Sequence, residues 1–217
     1  YSYSKWFSFF SLFIIKTPVI FYYEEGFHPL FFVFDFFIFK NHISIMEYIN
    51  DLIRRKDRLL PEDEAMMLLE NGEYGVLSMA LPDEDAYGIP INYVWDKQRS
   101  IYFHCAPEGR KLRILNGCNR VSFCVVGHTR IISNQFSTEY ESIVISGTMI
   151  CQLEEAEKRM ALELLLDKYS PEDKKIGLKY MEKSFHRTHV LKLIIESVSG
   201  KCLPISPSAA APRRLSD

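Results

Sequence analysis

Six runs of strand character follow one another between residues 74 and 200, and they lack the strand–helix–strand alternation of a parallel sheet. That succession limits the fold more than any other feature of the sequence. "YGVLSMAL" (74–81), "AYGIPINYVW" (86–95) and "IYFHCA" (101–106) are joined only by the polar turns "PDED" and "DKQRS", which reads as antiparallel hairpins. "RVSFCVVG" (120–127) is a fourth strand. After a loop through 128–138, "YESIVISGTMICQL" (140–153) is a fifth, with Gly147 marking a bulge or a close approach. "THVLKLIIESVSG" (188–200) is the sixth. Helices are expected where the period lengthens. One spans 61–70, entered at Pro61 and stopped at Asn71-Gly72, and a short one runs from Leu112 to Asn116-Gly117. The clearest is "EEAEKRMALELLLDKY", and another stretch runs from Pro171 to about Lys183. The expected class is α+β: a six-stranded antiparallel β-barrel with flanking helices.

Composition divides the chain at Met46. Residues 1–45 hold twelve of the sixteen Phe residues and no Met, and Pro18, Glu24, Glu25, Pro29 and Asp35 interrupt their apolar runs. Each run reaches about half of the ~20 residues a membrane helix needs, and the pattern is not that of a secretory signal. A membrane hairpin, an apolar extension and upstream sequence translated ahead of Met46 all compete for this segment. The last is the expectation, because Phe/Ile/Tyr/Lys bias is what AT-rich non-coding codons give. The native domain is then 46–200, and the Pro/Ser/Ala-rich stretch 201–217 is expected to be a disordered tail.

Several function classes fall away. A net charge of −2 argues against a dedicated nucleic-acid binder. Five cysteines without a CxxC pair suit a reducing cytoplasm rather than a disulfide framework. No Gly-rich dinucleotide or P-loop motif occurs. His104, Cys105, Cys118, Cys124 and His128 fall within 25 residues but match no zinc spacing, so no metal site is expected. Cys105 beside two cations could be an activated thiol, although no base–orienter pair accompanies it. The remaining constellation is "IYFHCAPEGRK" (101–111). A strand ends at His104-Cys105, Gly109 permits close backbone approach, and Arg110 and Lys111 open a helix, where free N–H groups favour an anion. By itself this arrangement is more often an ordinary solvated corner.

In order along the chain, "RRKDRLL" (54–60), "NGEYGVLS" (71–78), "YGIPINYVW" (87–95), "IYFHCAPEGRKL" (101–112), "RVSFCVVG", "YESIVISG" (140–147), "LLLDKYSP" (164–171) and "KSFHRTHVLKLIIESVSGK" (183–201) resemble the pyridoxamine 5′-phosphate oxidase-like, FMN-binding split-barrel superfamily. Within it, the nitroimidazole-resistance group is the nearest likeness. The resemblance implies a split barrel that forms a homodimer, with FMN at the subunit interface. It also implies roles for single residues. Arg110 and Lys111 match the basic pair on the phosphate, and His104 and Cys105 fall at the strand end bordering the flavin ring. Ile91 and Asn92 flank the flavin, and Ser142 is a polar position on the fifth strand that reaches the cofactor. Two departures qualify the likeness. Phe185 stands near a position that is usually Trp, and Arg110 stands where His is frequent. A substrate-binding arginine motif of true pyridoxamine phosphate oxidases is not recognisable near the C-terminus, which argues against vitamin B6 oxidation.

The function expected from the resemblance is that of a cytoplasmic FMN-dependent oxidoreductase acting on a small molecule, without nucleic-acid or membrane partners. Electrons would pass from NADH or NADPH to a small acceptor such as a nitroaromatic, with His104 as the proton source. The alternatives are a flavin- or haem-binding carrier or sensor without turnover, and a barrel that has lost its ligand and serves only as a dimeric interaction protein.

Overall fold

The computed structural model describes residues 46–203 except Asp83; the expectations for 1–45 and for the tail from 204 lie outside the described residues. Eight strands and four α-helices follow in chain order: β1 (Glu47–Tyr48), α1 (Glu62–Asn71), β2 (Gly75–Met79), β3 (Tyr87–Ile91), β4 (Val94–Trp95), β5 (Ser100–Cys105), α2 (Arg110–Gly117), β6 (Arg120–Ile132), β7 (Ser137–Ile150), α3 (Glu155–Tyr169), α4 (Lys174–Ser184) and β8 (His189–Leu203). The α+β class and the antiparallel barrel are as expected. The sheet runs β3-β2-β6-β7-β8-β5-β4, and β1 adds to β8 in parallel.

Two strands exceed the expected six: β1, which precedes every expected strand, and a second one with a local cause. The run 86–95 is two strands, because the chain turns a corner at Asn92-Tyr93. There the Tyr93 N–H donates to the Tyr169 hydroxyl at 2.9 Å instead of entering a ladder, and the Tyr93 hydroxyl donates to Leu69 O at 2.7 Å. The corner carries the chain from one end of the sheet to the other, since β3 and β4 lie at opposite ends of the strand order. The sheet therefore curls into a barrel joined covalently at the corner but not by a ladder between β3 and the end of β5. That seam is the split of the barrel.

The barrel interior is filled by alternate residues of its strands. Phe123 lies at its centre, edge-on to Tyr93 at 5.0 Å and to Phe103 at 5.1 Å, among Leu77, Ile143, Ile145 and Leu193. A second core forms on the outer side of β5 and β8, where Val94, Tyr102 and Val190 meet Ala161, Leu162, Leu165 and Met181 of α3 and α4. Two-sided burial explains why β5 reads as a continuous apolar run, whereas β2 alternates between buried and exposed. Gly147 is a close-approach bulge: the β7–β8 register shifts there, and a Cβ would lie 2.1 Å from Ile194 O. The expected loop over 128–138 is mostly strand, and β8 continues to Leu203, three residues past its expected end.

Candidate functional site at the barrel seam

The seam assembles most of the residues singled out in the sequence. The β4–β5 register pairs Val94 with Tyr102 and Trp95 with Ile101. That ladder stops at the corner, where Ile91 pairs instead with Gly75 on β2. Asn92 and His104 line one cavity of ≈ 390 Å³, walled on its other side by α3 and α4 through Leu162, Leu165, Tyr169 and Met181. No charged side chain lines it. The Asn92 amide donates to Glu73 O at 3.2 Å, which fixes which way the side chain faces.

Alternation along β5 sends His104 toward the helices and Cys105 toward the barrel interior, and Lys111 stands close to both. Partial enclosure by the cavity wall, and secondarily the Lys111 ammonium, push the His104 imidazole below its ordinary pKa, so the ring is neutral at pH 7. Burial pushes the Cys105 thiol up. Lys111, which shares a hydrogen bond with the thiol, pulls it down without prevailing. Cys105 is thus a protonated neighbour rather than an activated nucleophile.

Gly109 caps α2 with φ 131°, a conformation that strains any residue with a side chain, and the space at its Cα is open. Arg110 lies 4.4 Å from the centre of the Tyr87 ring on β3, across the seam. Among the described residues neither Arg110 nor Lys111 forms an ion pair, because the nearby Glu84 carboxylate is taken by Arg113. Two cations at a helix start, a glycine cap with room above it, a neutral imidazole and an apolar cavity form a set that can receive an anionic group beside an apolar one.

Ser142 stands apart. It pairs with Lys201 on β8, whereas His104 pairs with Val190, so within one chain the two lie about 35 Å apart along the strand. Phe185 has Lys158 and Arg159 over its ring at 4.2 and 4.8 Å and packs against the second core, so it does not offer a free face to a ligand. Among the described residues no group of three or more His, Cys, Asp or Glu side chains is placed to hold a metal ion, and no helix is long and apolar enough to cross a membrane.

Tyr169, the last residue of α3, does more at the seam than its sequence suggests. Its hydroxyl accepts from the Tyr93 N–H and lies 2.6 Å from Glu73 O and 2.8 Å from Tyr93 O, donating its one proton to one carbonyl at a time. Beside it, the Lys168 ammonium is buried without a hydrogen-bond partner, 3.8 Å from the centre of the Tyr93 ring. The neighbouring Glu70 is engaged by Lys97 at 2.6 Å. The helical period over 154–169 and the resemblance of 164–171 both pointed to this end of α3, and neither distinguishes a seam tyrosine from a core one.

Comparison with known proteins agrees with this geometry. The family model described as pyridoxamine 5′-phosphate oxidase matches residues 61–202. No curated protein matches the sequence. Among solved structures, a candidate 5-nitroimidazole antibiotic resistance protein from Bacteroides thetaiotaomicron is similar with a TM-score of 0.56 and 19% identity, covering 66% of this chain and 85% of that one. A flavocytochrome from Azotobacter vinelandii is similar with a TM-score of 0.56 and 16% identity, covering 74% and 78%. An FAD and haem binding protein from Mycobacterium smegmatis gives a TM-score of 0.53 and 18% identity, covering 70% and 77%. At these identities the similarity is one of fold.

Proposed function

The chain belongs to the pyridoxamine 5′-phosphate oxidase family, and from that premise we propose that it is a cytoplasmic flavoprotein oxidoreductase holding FMN at the seam. The observation that carries this reading is the Arg110–Lys111 couple at the start of α2, without an ion pair among the described residues and beside the cavity shared by His104 and Asn92. Lys111 and Arg110 would hold the phosphate. His104 would stand at the flavin ring, with Cys105, Ile91 and Asn92 as its surroundings. When bound, FMN supplies hydride acceptance from a reduced nicotinamide and delivery of electrons to a small acceptor, for which a nitroaromatic suits the uncharged cavity. The protein's own part is to orient, to exclude water, and to hold a proton at the His104 ring. Ser142 is too far along β8 to join from the same chain, so in a homodimer it would reach the flavin from the partner subunit. Five free thiols accord with the proposed cytoplasmic location.

The test compares two ligands. Replacing Arg110 and Lys111 by Ala removes two charge-assisted contacts of about 1.5–3 kcal/mol each, which weakens FMN by roughly 100-fold or more and leaves riboflavin close to wild type. Equal losses for both ligands would show that these cations do not meet phosphate. Bleaching of bound FMN by NADH or NADPH without oxygen then tests turnover. The neutral His104 imidazole facing an apolar cavity also supports a second reading, a flavin or haem carrier without turnover. That reading requires a bound chromophore that neither nicotinamide reduces.

A further inference from the structure

The cavity at the seam has two unlike walls. His104 and Asn92 stand on the side proposed for the flavin, whereas Leu162, Leu165 and Met181 of α3 and α4 make the opposite side apolar. Along α4 and the 3₁₀ turn that prolongs it (Phe185–Arg187), Tyr180, Ser184 and Thr188 line the cavity at every fourth residue. Tyr180 is 67% exposed, which puts it at the mouth rather than the floor.

Each of these three residues is preceded by an exposed cation: Lys179, Lys183 and Arg187. Successive residues of a helix lie about 100° apart, so the cations form a stripe beside the lining stripe, outside the cavity and along its edge. Among the described residues none of the three forms an ion pair or a side-chain hydrogen bond. The neighbouring carboxylates are engaged or stand elsewhere: Glu182 pairs with Arg159, Asp167 pairs with Lys174, and Glu172 and Asp173 lie at the other end of α4. Cations in a last turn also complement a helix C-terminus. Lys179 lies a turn earlier, however, Arg187 lies beyond the helix, and all three keep the period of the lining residues.

The aliphatic hydroxyls at the mouth do not take over the recognition of charge. Ser184 Oγ donates to Tyr180 O at 2.9 Å and Thr188 Oγ1 donates to Ser184 O at 3.0 Å, so both protons are committed to the backbone. Lysine and arginine stems lie along apolar surface with their charges in water, which suits a contact at the rim of a cavity that carries no charge inside.

We propose that the electron acceptor is a small anionic amphiphile, an aromatic or other apolar body bearing one acidic group, whose body enters the cavity while the acidic group stays at the mouth against Lys179, Lys183 and Arg187. This deepens the flavoprotein reading and rests on it for treating the occupant as an electron acceptor. A neutral nitroaromatic fills the same apolar space but forgoes the rim.

Isothermal titration of the full chain, with and without FMN, compares nitrobenzene with 4-nitrobenzoate, which differ by one carboxylate. The wild type is expected to bind 4-nitrobenzoate about three- to tenfold more tightly in low salt, and the advantage to shrink as salt is raised. Lys183→Gln combined with Arg187→Gln is expected to remove most of that advantage and to leave nitrobenzene unchanged. Lys175→Gln, which removes an exposed cation from the far side of α4, is expected to keep it. Binding of both ligands alike, binding of neither, or an equal loss in Lys175→Gln overturns the proposal. A preference that survives the rim substitutions places the carboxylate elsewhere, at Arg110 and Lys111 for instance, and overturns it as well. Flavin uptake separates the two readings. Charge-selective binding by a chain that takes up no FMN keeps the anionic ligand and overturns the proposed function, whereas FMN uptake and bleaching by a nicotinamide without that selectivity overturns the anionic ligand alone.

Discussion

His104, Cys105 and Lys111 show how little separates a reactive site from an inert one. The thiol lies next to an ammonium, yet burial keeps it protonated, and the same ammonium helps keep the imidazole neutral. Replacing Lys111 by Met removes the smaller of the two influences on His104. The imidazole pKa is expected to rise partway toward its ordinary value and to stay below it, because the cavity wall remains; proton NMR titration across about pH 5–8 reads this directly. A fall, or no change, would mean that Lys111 does not face the ring. The basic pair and His104 were legible in the sequence because a strand end, a glycine and two cations at a helix start have a local chemical logic. Lys168 was not legible. Its desolvation depends on the Tyr93 ring, 75 residues away in the chain, and on Glu70 being held by Lys97.

Among the elements, the six expected strands are all present, and the errors fall where tertiary contacts override pattern. Asn92-Tyr93 breaks an otherwise continuous apolar run because Tyr169 offers the Tyr93 N–H a partner outside any ladder. The stretch 128–138 looks like a loop because it is mostly polar, with Ile131, Ile132 and Phe136 at no regular spacing, whereas cross-strand pairing between β6 and β7 makes most of it strand. The Tyr169 clasp can be tested through stability. Tyr169→Phe leaves the buried Tyr93 N–H without an acceptor, while Glu73 O keeps the Asn92 amide. Urea unfolding is expected to show a loss of about 1–3 kcal/mol. An unchanged midpoint would mean that water or a shifted carbonyl satisfies the corner as well as the phenol does.

For the whole molecule, the ordered resemblance revealed the family and the barrel, but the seam appears only when the two ends of the sheet meet in space. Stability against pH reports on that closure. Burial, partly offset by Glu70, lowers the Lys168 ammonium from 10.5 to about 8. Between those values the unfolded chain holds a proton that the folded chain has released, so the contribution of Lys168 to stability rises with pH across that window, and below about pH 8 the full cost of burying the charge is in force. Solvent screening of the half-buried ammonium keeps that cost below roughly 3 kcal/mol, and contact with the Tyr93 ring offsets part of it. Burial raises the pKa of the Cys105, Cys124, Cys151 and Cys202 thiols, which costs stability over the same window. Denaturant titrations between pH 7 and 10.5 are therefore expected to show the wild type gaining on Lys168→Met as pH rises rather than a net rise by itself. Parallel profiles would place the ammonium in water. The corner itself has a kinetic consequence. Among the described residues β3 is hydrogen-bonded along one edge only, and Pro90 removes one donor from it, so widening the seam breaks no ladder across it. A ligand arriving there waits for side chains to swing aside rather than for a sheet to come apart. Loading and release can therefore be fast in a molecule whose core stays closed.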